Sequence, residues 1–489
     1  MRPATAALPL AAVLVVGAAG TAVADRPDFA VTVGVPNRSL DGRAQAGVID
    51  NRLGGGAGAQ VLSEAELGRA GPPDLVQARF GAAMLVADLD GDGFDDLIAG
   101  APGHPGAAAH DVPGRVDILF GSATGITAAR AVTVPTKAET GDEFGAALSL
   151  SVRRIPSGGV AGVYDLWIGA PGHDVAGRAD AGAVFRYSLD TAGTATYLET
   201  VTQDSALVPG AAEAQDRFGA VLARHAENGT LVGVPSEDLG TRKDAGALQL
   251  LRTDPQTNAL IKAPSWTQDS PGLAGKAEAG DRFGAALSWD GSAVGVPGED
   301  VGQAKDAGLV QTFGRPAEDP AGLVPSAAFT QNSKGVPGVA ETGDRFGTAL
   351  SDGLFTCYEN PSVAIGAPGE DLGSIKDAGS VTLIHEPYYA TGDRVKCPAQ
   401  VISQGNGLPG VPEAGDHLGA AMGVWFGDEE AADDQIDTLV IGIPGEDIGT
   451  RPAGRDVGRV VLRTGITAST VGFRDGDVPG LRFGSLFAS

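Results

Sequence analysis

The sequence predicts an all-β fold, a seven-bladed β-propeller of four-stranded antiparallel blades, and three observations lead there. Two short words alternate along the chain, seven times each; their spacing is the length of four short strands; and the two chain ends read as complementary halves of one unit.

The first word, Phe-Gly with one Leu-Gly, stands at Phe80-Gly81, Phe144-Gly145, Phe218-Gly219, Phe283-Gly284, Phe346-Gly347, Leu418-Gly419 and Phe483-Gly484. The second, Gly-x-Pro, stands at Gly34, Gly100, Gly169, Gly233, Gly295, Gly366 and Gly442. Dividing residues 25–489 by seven gives about 66 residues per unit, enough for four strands of roughly 5–6 residues and their turns. In the first complete unit the strands are expected at Phe80 to Val86, Asp96 to Ala101, Arg115 to Phe120 and near Ala131 to Val134. Val116, Ile118 and Phe120 alternate onto one face, the pattern of a half-buried strand. The 74 glycines fall at repeated positions between apolar runs and mark turns, not disorder.

The chain starts with a Gly-x-Pro half and finishes with a Phe-Gly half. Residues 25–70 are therefore expected to supply three strands of a closing blade, and residues 481–489, with Phe483 to Phe487 as inner strand, the fourth. A ring closed this way presents no open sheet edge. Residues 25–489 read as a single propeller domain.

A Phe-Gly followed by a strand ending in Gly-Ala-Pro resembles the FG-GAP repeats of integrin α subunits and of glycosylphosphatidylinositol-specific phospholipase D, over essentially all of residues 25–489. The resemblance implies a β-propeller whose upper face carries ligand contacts, hence an extracellular binding or adhesion module. The sequence shows no stalk domain and no membrane span, so transmembrane signalling is not expected.

Residues 1–24 have the pattern of a signal peptide: Arg2, an apolar run from Ala6 to Ala19, and Ala22-Val23-Ala24 before Asp25. The apolar run is shorter than the ~20 residues that span a bilayer, so a secreted protein is expected, with an uncleaved anchor as the alternative. A formal net charge of −26 argues against nucleic acid and anionic membrane surfaces and suits cations or basic partners. The two cysteines, Cys357 and Cys397, form an even pair that in an oxidising compartment most simply makes one disulfide, and strand counting puts both on the lower face of one blade.

Between the first two strands of the first complete unit lies Asp88-Leu89-Asp90-Gly91-Asp92-Gly93-Phe94-Asp95-Asp96. Carboxylates at positions one, three, five and nine, with glycine at six for a sharp turn, can converge on one Ca²⁺ as hard oxygen ligands, which picks out Asp88, Asp90, Asp92 and Asp96. Phe94, at position seven, would contribute its carbonyl, as the similar integrin loops also imply. An EF-hand is excluded, because position twelve is Ala99 and both flanks read as strands. The alternative, a metal-free solvated turn, leaves the carboxylates repelling one another. Elsewhere the pattern is absent: Ser157 to Asp165 keeps only Asp165, the links at Ser288 to Ser292 and Arg224 to Thr230 are poor in carboxylates, and Asp428 to Asp437 is acidic with the wrong spacing.

The turns after Gly-x-Pro repeat as Glu237-Asp238, Glu299-Asp300, Glu370-Asp371 and Glu446-Asp447, each followed by a basic residue and Asp at Lys243-Asp244, Lys305-Asp306, Lys376-Asp377 and Arg455-Asp456. A further acidic recurrence, as in Glu278 to Asp281 and Glu341 to Asp344, precedes Phe-Gly. These read as turn-capping aspartates and local ion pairs in preference to an acidic rim for basic ligands.

No Gly-x-Ser-x-Gly elbow and no His-Glu-x-x-His occurs, and the six histidines are scattered. His104 and His173 occupy matching turns, which explains them as well as a shared metal would. The expectation is therefore a non-enzymatic monomer binding an extracellular protein or glycan, with an extracellular hydrolase or lyase and a structural surface protein as alternatives.

Overall fold

The computed structural model describes residues 29–35, 48–53, 59–63, 67, 79–103, 113–122, 124–154, 160–225, 229–315, 322–355, 361–385, 397–425, 437–446, 459–464 and 467–471. These residues are almost entirely strand and turn. The first complete blade is an antiparallel meander of Ala83–Ala87, Asp96–Ala101, Arg115–Leu119 and Ala131–Thr133 in that order. The second strand falls where the sequence places it. The first begins later than expected, because Phe80 and Gly81 belong to the turn leading into it and Phe80 is buried as a wedge, not as a ladder residue.

Four more meanders follow. They run from Ala147–Arg154 to Ala195–Val201, from Val221–His225 to Ser265–Trp266, from Ala286–Leu287 to Val324–Phe329, and from Leu350–Gly353 to Gln400–Gln404. Successive sheets bury their faces against each other, which is the arrangement of a β-propeller. Val116, Ile118 and Phe120 of the first blade share a core with Leu166, Ile168 and Phe185 of the second. Trp167 and Val184 of the second pack with Leu222 and Val232 of the third. Leu231 and Leu250 pack with Val294 and Phe313 across the next junction, and Val310 with Ile365 across the one after.

The two recurring words are the two sides of each junction. Phe80, Phe144, Phe218, Phe283, Phe346 and Leu418 are all fully buried. Each one after the first makes a parallel bridge to a glycine of the preceding blade: Gly114 to Phe144, Gly182 to Phe218, Gly246 to Phe283, Gly308 to Phe346 and Gly379 to Leu418. The Gly-x-Pro glycine then lies against the glycine of the next Phe-Gly, so closely that a Cβ on Gly169 would sit 2.0 Å from the Gly219 carbonyl oxygen and one on Gly295 2.1 Å from that of Gly347. Gly219 and Gly347 themselves hold φ of +91° and +94°, a region that side-chain-bearing residues rarely enter. The words recur because backbone meets backbone there.

Where the sequence predicts seven blades, five stand as complete blades with their packing described. A further four-stranded sheet comprises Met422–Trp425, Thr438–Ile443, Arg459–Thr464 and Thr467–Val471, and a three-stranded one Phe29–Val35, Val48–Leu53 and Ala59–Leu62. Residues 1–24, 481–489 and Phe483-Gly484 lie outside the described residues, as do His104 and Cys357. Cys397 lies between Ser380–His385 and Gln400–Gln404, as strand counting places it, and is not a free thiol. Among the described residues no helix is long and apolar enough to cross a membrane.

Candidate cation-binding site

The acidic loop is a hairpin between two paired strands, Ala83–Ala87 and Asp96–Ala101. Its aspartates fold it locally. The Asp88 carboxylate accepts the Gly91 N–H at 2.8 Å and the Gly93 N–H at 3.0 Å, Asp90 accepts the Asp92 N–H at 3.2 Å, and Asp92 accepts the Phe94 N–H at 3.0 Å. Gly91 and Gly93 supply the left-handed φ values, +73° and +88°, that let the chain wind around Asp88.

This winding brings carboxylate oxygens of Asp88, Asp90 and Asp96 within 4.8 Å of one another. Asp96 is fully buried; it accepts the Leu89 N–H at 2.9 Å and, from across the blade, the Gly121 N–H at 2.8 Å. Burial pushes its carboxyl up to about 7; the two N–H donors offset part of this, and the charges of Asp90 and Asp92 add to it. A positive charge in the loop would relieve that burden.

Asp92, expected as a fourth ligand, is not part of the trio. Its carboxylate faces Arg130 at 3.3 Å, and the same guanidinium reaches Asp90 at 2.6 Å and lies 5.3 Å from the Phe120 ring. Phe94 occupies the turn, partly buried, with its N–H committed to Asp92. Sequence reasoning missed Arg130, which stands 40 residues from Asp90 and meets it only because the outer strand returns beside the hairpin.

The second blade answers the same problem with protein groups. Asp165, its remaining counterpart of Asp96, is buried between Arg153 and Arg186, the latter at 2.9 Å. Arg186 also binds Glu199 at 2.8 Å and stacks 5.0 Å from the Trp167 ring.

At the opposite ends of the strands, the turn-capping expectation holds. Asp238, Asp300 and Asp371 accept the N–H of Asp244, Asp306 and Asp377 at 3.0, 2.9 and 3.0 Å, and Lys243 and Lys376 pair with Asp238 and Asp371. His173 bonds Asp142 at 2.9 Å through Nδ1. That hydrogen bond raises the His173 pKa above the ordinary 6.5 against the opposing effect of burial. A raised folded-state pKa makes the ion pair's contribution complete below the unfolded value and loses it as pH climbs through the folded one. His173→Gln is therefore expected to destabilise the protein most in thermal melts at about pH 5–6, and the gap to the unmodified protein should narrow toward about pH 9.

These features define a propeller module whose blades are joined by backbone contacts and whose first hairpin gathers three carboxylates. Residues 80–119, the first three strands of the first complete blade with this hairpin, match the FG-GAP repeat family model. Together with the propeller arrangement of the remaining blades, this match supports an FG-GAP propeller protein. No curated protein matches it.

Proposed function

We propose that the chain is a secreted, monomeric FG-GAP propeller that serves as an extracellular binding or adhesion module for a protein or glycan, with Ca²⁺ bound structurally in the first hairpin. The trio Asp88, Asp90 and Asp96 carries the calcium assignment: three hard oxygens from one loop, one of them fully buried, suit Ca²⁺ better than a softer metal. Asp92 would complete the set by leaving Arg130, and Phe94 by offering its carbonyl. Calcium there would hold the hairpin to its blade. The binding role itself is supported by the propeller fold and by the absence of a triad or zinc motif in the sequence.

The same reading takes the ring as seven-bladed, closed by a blade shared between residues 25–70 and 481–489, with Cys357 and Cys397 joined as one staple and residues 1–24 removed as a signal peptide.

Extracellular calcium modules bind at ~10⁻⁴–10⁻³ M, so 10 mM Ca²⁺ should stabilise the protein by about 1.4–2.7 kcal/mol. Replacing Asp90 and Asp92 together with Ala should remove the hairpin's share of that shift in a thermal melt. A parent protein whose melting ignores both calcium and chelator would refute the calcium assignment. Crosslinking pull-downs from the native extracellular milieu, with and without chelator, test the binding role.

A further inference from the structure

A second set of buried carboxylates recurs at the upper end of four blades, and in the last of them the glutamate, Glu446, is itself buried against Gln404. In each, a glutamate from the turn after Gly-x-Pro meets a glutamine from the end of the preceding blade: the side-chain amide of Gln203 donates to Glu237, that of Gln268 to Glu299 at 2.6 Å, and that of Gln331 to Glu370. The aspartate two residues before Phe-Gly completes the group. Asp216, Asp281 and Asp344 are at most 1% exposed, and each holds its own turn by accepting the N–H of Glu213, Glu278 or Glu341. The residue preceding the glutamate donates its N–H to the aspartate's carbonyl, Gly298 to Asp281 at 3.1 Å and Gly369 to Asp344 at 3.2 Å, so the two acids share one frame.

Oxygen acceptors in these groups lack partners. Gln203, Gln268 and Gln331 are 5%, 2% and 3% exposed, and in all three the amide nitrogen is spent on the glutamate while Oε1 has no donor. Asp216 Oδ1, fully buried, has none either. The nearby basic groups are engaged elsewhere, Arg242 with Asp269 at 2.7 Å and Lys243 and Lys376 with the capping aspartates. Burial and mutual repulsion lift Glu237, Glu299 and Glu370 to about 7, the direction a missing counter-charge produces.

The second blade shows what belongs there. His173 occupies the position of Glu237, one residue after Gly172, whose N–H donates to the Asp142 carbonyl at 3.0 Å in the same frame. Its ring nitrogen lies 2.9 Å from the Asp142 carboxylate. One blade thus places a basic side chain where four others place an acid.

We propose that the groups Gln203–Asp216–Glu237, Gln268–Asp281–Glu299 and Gln331–Asp344–Glu370 each bind one hard cation of the Ca²⁺ class through carboxylate and amide oxygens, and that in the second blade the His173 side chain stands in the cation's place by its hydrogen bond to Asp142. Glu237, Glu299 and Glu370 are only half-buried, which leaves each pocket open to solvent. The proposal stands apart from the hairpin site, which lies at the other end of the strands.

The test is equilibrium dialysis of the full chain against Ca²⁺ at about pH 7.5, above the raised carboxyl values, in an Asp88→Asn, Asp90→Asn background that removes the hairpin site. The expected result is three Ca²⁺ per chain, falling to none when Glu237→His, Glu299→His and Glu370→His transplant the second blade's arrangement. Should the triple variant fail to fold, Glu299→Gln alone is expected to lower the stoichiometry by one. No binding in the hairpin-deficient background at 10 mM Ca²⁺, or undiminished binding in the glutamate variants, overturns the proposal.

Discussion

Gly295→Ala is expected to prevent the propeller from forming. The added methyl would stand 2.1 Å from the Gly347 carbonyl oxygen and 3.2 Å from the Ala286 Cβ, and the first of these is backbone of the next blade. No rotamer can yield there; the two blades would have to separate, exposing the Val310 and Ile365 core between them. A loss above about 4 kcal/mol is expected, in the range reserved for a named structural failure. Gly280→Ala provides the contrast. It also carries positive φ, +93°, but nothing lies within 4 Å of its Cβ, so only backbone strain of about 1–2 kcal/mol is expected. Circular dichroism melts of the two variants check the pair, and a Gly295→Ala protein melting like the parent would refute the blade-contact account. Phe283→Ala, which empties the wedge at the preceding junction, is expected to cost about 3–5 kcal/mol.

Deleting Leu481 to Ser489 is the second large effect expected. If these residues supply the inner strand of the closing blade, their loss exposes a ladder edge on the sheet of Phe29–Val35, Val48–Leu53 and Ala59–Leu62 and opens the ring. The truncated protein should aggregate or melt far below the full chain, as light scattering and calorimetry would record. A truncation that melts with the parent would remove the shared blade from the fold.

Much of the blade was legible because its signals are local. Val116, Ile118 and Phe120 alternate and are buried together, and Asp96 to Ala101 is a strand between turn residues. The convergence of the hairpin carboxylates was equally legible, since Asp88, Asp90 and Asp96 belong to one short loop whose own N–H groups orient them. The contact of Asp92 with Arg130 was not legible for the complementary reason: Arg130 arrives from a turn 38 residues away. Adjacent residues of the Glu-Asp turns also part ways. Asp238 turns back to cap its own loop, whereas Glu237 turns inward to Gln203 from the preceding blade. Spacing along one segment carries no record of that.

By itself the sequence determined the repeat, the strand order within a blade and the folding of the acidic hairpin, because turn chemistry, side-chain alternation and glycine positions act over a few residues. Only the tertiary structure decided which carboxylates are buried, which meet an arginine and which face one another without a counter-charge. Those outcomes depend on segments converging from different strands and neighbouring blades, and electrostatic energy follows the distance and burial reached there, not the order of residues along the chain.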